Sequence, residues 1–278
     1  MAIEFYDNDS VQLRTVKLNQ LAQMIGETAA AGDEAQTTTY IAAMDVAPSD
    51  YVRFVINRCI KGLKDDGVYS QLDWLSFFNI HTAQAACLNV IDPTEEFTQV
   101  GAPTFQAYRG FTALSGANGY LDSGWNPTTD ATNFLQDDAC QGAWVSTNNK
   151  QFASCMGNAN SRFDPWDAND RFTARANSGT GFNVTAIGGA AGLLIWNRSG
   201  AAAGKMFKNG VEVGSINTTS AALTNTDFFG LCDNNGGVPA PSTVRQYAVH
   251  LWGGNLSDAQ NLALYNHVSE LVSALGQL

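Results

Sequence analysis

Beyond Asp92-Pro93 the chain is written as short β-branched and aromatic runs separated by Gly, Asn and Asp clusters, and few architectures accommodate such a text. Candidate strands fall around 104–108, 119–124, 132–146, 151–156, 171–176, 181–188, 192–198, 204–215, 227–232 and 244–252. The clearest hairpin is Lys205 to Gly214, turning on Asn209-Gly210, a pair that takes positive φ twice at little cost and so fits a type I′ turn. Strands without intervening helices predict an antiparallel sandwich rather than βαβ units. Composition agrees. Charged residues are 15% of the 278, against about 25% in an average soluble protein, and 26 glycines supply turn conformations instead.

The flanks read as helical. Val11, Leu18, Leu21 and Ile25 recur at helical spacing within residues 1–36, a segment expected to serve for attachment. Residues 37–92 read as a small helical module. Pro48-Ser49-Asp50 starts a helix with Ser49 as N-cap; Val52, Val55, Ile56, Cys59, Ile60 and Leu63 form its apolar face; Asp65-Asp66-Gly67 stops it. Leu72, Leu75 and Phe78 follow, then the Ala-rich 81–88, and Asp92-Pro93 closes the module because a residue before proline is pushed out of the α basin. The sandwich domain spans 93–278. Its closing helix, 257–276, opens on a capping box of Ser257 and Gln260, keeps Leu264, Val268, Leu271 and Leu275 on one face and ends at Gly276.

Formal net charge is −11, and no Lys/Arg cluster offers the footprint that phosphate backbones or anionic lipid require, so neither nucleic acid nor membrane is expected as a partner. No apolar run approaches the ~18 residues of a bilayer span, and the acidic opening Met1 to Asp7 lacks a secretory pattern. The cysteines at 59, 87, 140, 155 and 232 form no CxxC pair, which predicts reduced, buried thiols.

The order of these pieces resembles a family of phage and prophage virion-associated proteins. The resemblance rests on Leu72-Asp73-Trp74-Leu75, Ala83-Gln84-Ala85-Ala86 and Asp92-Pro93-Thr94. It continues through Pro103 to Phe111, Tyr120 to Pro127, Asn209-Gly210 and Leu256 to Gln260, and covers roughly residues 40–278. It implies a mainly β chain: an antiparallel jelly-roll β-sandwich of the concanavalin or laminin-G-like kind, with an N-terminal helical module and a C-terminal helix. It also implies a virion structural role, as capsid decoration, head fibre or tail fibre component. The expected partners are other virion proteins through the N-terminal segment, further copies of the chain as a trimer, and a host-surface glycan. The expected localisation is the virion, after synthesis in the host cytoplasm. The family carries no catalytic motif onto this chain and no cofactor.

The residues point the same way. A serine-hydrolase elbow G-x-S-x-G is absent. His81 and His267 fall on expected helices and His250 on a strand beside Trp252, as structural or surface residues. A retaining glycosidase needs two carboxylates about 5–5.5 Å apart, yet Glu212 is the one Glu between 97 and 256. The chain is therefore expected to be no enzyme, the rival being a tail-spike glycosidase or depolymerase. Asp164, Asp167 and Asp170 are weak candidates for a calcium ion, since Asp is also an ordinary turn residue. For a sugar, whose apolar face stacks on aromatic rings, the candidates are Trp125 and Trp166 in turn-like contexts, with Asp167 and Asn169. Trp144, Trp196 and Trp252 sit in apolar runs and read as core.

Overall fold

A computed structural model describes residues 32–113, 119–242 and 244–277; the expected helix around Val11–Ile25 and most of the attachment segment lie outside them. The described helices are α1 (Ala35–Ala42), α2 (Asp50–Asp65), α3 (Ala83–Cys87) and α4 (Asp258–Leu275). The strands begin with β1 (Leu72–Phe77), β2 (Thr98–Val100), β3 (Thr104–Gln106), β4 (Gly110–Thr112), β5 (Tyr120–Asp122) and β6 (Ala139–Val145). Next come β7 (Met156–Gly157), β8 (Ser161–Asp164), β9 (Arg171–Ala176), β10 (Phe182–Thr185), β11 (Gly192–Gly200) and β12 (Ala203–Lys208). The last are β13 (Val211–Ile216), β14 (Phe229–Gly230), β15 (Asn234–Asn235), β16 (Val238–Pro239) and β17 (Gln246–Gly253).

These strands build two stacked antiparallel sheets, as the turn-rich text requires. The first runs β13-β12-β11-β6-β17-β4-β3, with β1 also paired to β17; the second runs β10-β9-β8-β7-β14-β5-β2. β15 and β16 form a separate small hairpin. Between the sheets lies an aromatic core. Trp74 stacks on Trp252 with ring centroids 4.8 Å apart, and Phe97, Trp125 and Phe228 close around Trp252. Phe134 continues the cluster to Trp196. Trp196 and Trp252 are fully buried, as expected. Trp125 is 3% exposed and belongs to this core, which corrects its reading as a surface ligand for sugar.

The outer face of the first sheet is covered by helices, which makes a third layer. Ser49 caps α2 by accepting from the Val52 amide, and all six residues of the expected apolar face are buried. The capping box of α4 is formed in both directions, and Leu264, Val268, Leu271 and Leu275 are buried. Gly276 does end α4, but at φ −63° rather than in the left-handed conformation. His267 on α4 reaches Asp66 just past α2. His81 lies in a bend before α3, not on a helix, and its Nε2 pairs with the Val46 carbonyl.

The expected helical module over 37–92 is corrected at its centre. Leu72–Phe77 is a strand, paired antiparallel with Val249–Gly253 of β17 in the first sheet. The core is accordingly continuous from Tyr40 to Leu275. All five cysteines are buried and unbonded. No helix among the described residues is long and apolar enough to cross a membrane.

Candidate functional site

The loop between β8 and β9 carries the sequence-predicted Trp166, Asp167 and Asn169, and two buried salt bridges shape it. Arg245, fully buried, pairs with Asp164 at 3.1 Å and donates to the carbonyls of Asn149, Gln151, Ala153 and Trp166. One guanidinium, with its rigid fork of donors, thereby ties the 149–153 segment to the Trp166 loop. Asp164 also accepts from the Ala153 and Trp166 amides. Burial pushes its carboxyl up to about 6, against the pull of Arg245 and those amides. Asp167 accepts from the Asn169 and Arg171 amides and from Arg171 Nε at 2.7 Å. Burial works upward on it as well, but the Arg171 bond and the two amides outweigh burial and hold the carboxyl below its usual range.

These bonds correct two expectations. Asp167 is fully buried and holds its own loop, so it is not a ligand-facing residue. Nor do Asp164, Asp167 and Asp170 converge on a common ion. The first serves Arg245, the second Arg171, and Asp170 accepts from Trp166 Nε1 at 2.5 Å with Lys150 Nζ 3.5 Å away. No group of three or more metal-ligating side chains is gathered among the described residues.

What the loop presents outward is Trp166 and the exposed Asn169. Lys150 Nζ sits 4.7 Å from the Trp166 ring centroid, a cation–π arrangement that covers part of the ring and fixes its pose. Two residues that sequence reasoning missed lie on the same end of the sandwich. Phe152 is 71% exposed and Val244 is 41% exposed; the Gln151 amide donates to the Trp166 carbonyl, and Gln151 Oε1 accepts from Val244. The signal was available in Thr147-Asn148-Asn149-Lys150-Gln151-Phe152, where an aromatic follows an unbroken polar run. The result is an aromatic rim fastened from below by buried ion pairs, able to stack on a flat apolar face and hydrogen-bond at its edge.

A second concavity lies on the helix side. A cleft of about 330 Å³ is lined by Asn79, Tyr108, Arg109, Trp144, Val272 and Gly276 among others. Trp144 therefore does not lie between the sheets as its apolar run suggested; it is on the outer face of β6, parallel to Tyr265 of α4. Arg109 is engaged with the end of α4, donating to the Gly276 carbonyl at 2.6 Å.

No family model matches the chain. No curated protein matches it either. Among solved structures, a receptor binding domain superposes with a TM-score of 0.52 at 11% identity, over 72% of this chain and 52% of its own. The botulinum neurotoxin serotype D binding domain does so with a TM-score of 0.50 at 8% identity, over 71% and 52%. A mutant of Trypanosoma rangeli sialidase with trans-sialidase activity gives 0.49 at 11%, over 78% and 39%. The chain thus spans about half or less of the length of these proteins. At such identities the likeness is one of fold, and the fold is a mainly β, antiparallel jelly-roll sandwich of the lectin-like kind.

Proposed function

We propose that this chain is a glycan-binding structural protein of a bacteriophage virion, a capsid decoration, head-fibre or tail-fibre component that meets host-surface polysaccharide without cleaving it. The observation that carries the binding half is the rim. Trp166 is held in one pose by Lys150, Asp170 and the Arg245 anchor, with Phe152 exposed beside it. Prefixed aromatic rings on a rigid scaffold lose little conformational freedom on binding. The virion half is supported by the sequence resemblance over residues 40–278. A weak site repeated on many copies of one particle gains its hold through avidity.

The rival reading is a glycosidase, whose acid would be Asp122. Burial raises the Asp122 carboxyl above its ordinary range against the bond it accepts from the Gly124 amide, and the charge of Asp227 adds to the rise. The test is retention of purified protein on immobilised capsular polysaccharide, with the eluate assayed for released oligosaccharide. Retention without release is expected, and Trp166→Ala should weaken it about tenfold or more while still unfolding in one cooperative transition. Release that Asp122→Asn abolishes would replace the binding reading by the enzymatic one.

A further inference from the structure

The rim continues onto the outward face of the second sheet, and that face is charged against the rest of the molecule. The chain carries a net charge of −11, yet Arg162, Arg171 and Arg175 share this face, with Lys150 at its edge paired to Asp170. Alternation along β9 turns Arg171, Thr173 and Arg175 outward while Phe172, Ala174 and Ala176 are buried. The register of β8 and β9 sets Arg162 directly opposite Arg175. Like charges in that position destabilise a sheet, so nothing in the folding of these strands calls for the pairing.

The carboxylates that accompany these arginines lie beneath them. Arg162 pairs with Asp233, and the two side chains are 25% and 2% exposed; Arg171 pairs with Asp167, at 28% and 0%. Each buried acid acts as a post that orients a guanidinium whose side chain stays partly exposed. Arg175 forms no salt bridge among the described residues, although the charge of Asp233 reaches it; its Nη1 donates to the Ala159 carbonyl at 3.1 Å. Between the arginines, Thr173 is hydrogen-bonded to the exposed Asn183 on β10. At the strand rise of about 3.4 Å per residue, Arg171 and Arg175 stand roughly 14 Å apart. That span suits a chain of sugar rings rather than a single ring.

We propose that the polysaccharide bound at the rim is an acidic one, its sugar carboxylates received by Arg175, Arg162 and Arg171 while Trp166 stacks on a ring. Fork-shaped guanidinium donors match a carboxylate in two parallel bonds, which a neutral hydroxyl does not reproduce. The inference rests on the glycan-binding reading above and adds the charge of the ligand to it.

The test uses the full chain on immobilised polygalacturonate, alginate and hyaluronate, on the carboxyl-reduced form of each, and on dextran. Expected is retention on at least one acidic polymer, tenfold or more above its reduced form, and weakening steeply with salt. Arg175→Gln should lower retention on the acidic polymer about tenfold without changing that on neutral ones. Arg175→Lys should restore only part, because it returns the charge without the fork. Trp166→Ala should lower retention on both kinds. Equal retention on acidic and reduced polymers, or retention on dextran alone, overturns the acidic inference and leaves the glycan reading standing. Retention on none of the seven overturns both.

Discussion

His250 shows what a single side chain records about this fold. It points between the sheets from β17, fully buried against Phe78 and Tyr247, and neither ring nitrogen has a hydrogen-bond partner among the described residues. Burial lowers its pKa to about 3, so the folded chain holds it neutral. The unfolded chain takes up that proton near pH 6.5. Stability from this residue is therefore whole above pH 6.5 and is lost as pH falls from there toward 3, by about 1.4 kcal/mol per pH unit. Asp164 works in the opposite sense, because its raised carboxyl binds a proton in the folded state first. The measurement is thus a comparison of chains. Urea midpoints of the wild type and of His250→Leu, taken at pH 6.5 and 4.5, should diverge by roughly 2–3 kcal/mol of acid sensitivity that the variant lacks. Parallel pH profiles would refute the assignment. From sequence, His250 was legible as structural but not as an unpaired group, since that depends on what the second sheet places over it.

At the scale of elements, local chemistry was readable wherever the motif is self-contained. The Ser49 cap, the Ser257–Gln260 capping box and the Asn209-Gly210 turn all form as read, the turn with φ of 52° and 75°. Gly210 also lies under α4, where an added Cβ would meet Leu262 Cδ1 at 3.0 Å. Gly210→Ala should therefore destabilise by about 1–2 kcal/mol from the left-handed backbone alone, read as a lower urea midpoint. A midpoint within error of wild type would show that the hairpin tip is not so held. Leu72–Phe77 was missed for a physical reason. Five of its six residues are buried, because one face meets the second sheet and the other meets the helices. A strand covered on both faces loses the period-2 signal that identifies strands.

For the whole molecule the pairing of β1 with β17 predicts a single cooperative unit. β1 completes the edge of β17, and α2 and α4 together cover the first sheet, as the bonds of His267 to Asp66 and of Gln260 to the Gly67 carbonyl show. A chain starting at residue 93 loses that strand and exposes the outer face of the first sheet. It should be recovered only as aggregate, whereas a chain starting at residue 32 should unfold in one transition seen alike by far- and near-ultraviolet circular dichroism. A soluble, cooperatively folding 93–278 fragment would refute the single-unit description.

Local patterning suffices for the class of fold, the caps, the hairpin and the burial of the cysteines, because these follow from turn chemistry and from periodicity over a few residues. It also placed Trp166 and Asn169 on an outward loop. Packing across the chain settles that Trp125 is core and Trp144 is on an outer face, that Asp164 and Asp167 serve arginines, and that Phe152 joins the rim. Those outcomes depend on which segments, about 80 residues apart for Arg245 and the Trp166 carbonyl, meet across a packed interior. The face carrying Arg162, Arg171 and Arg175 belongs to the same class, since strand register alone sets 162 opposite 175. Short-range chemistry is written along the chain. Long-range pairing is settled by burial, which no local pattern records.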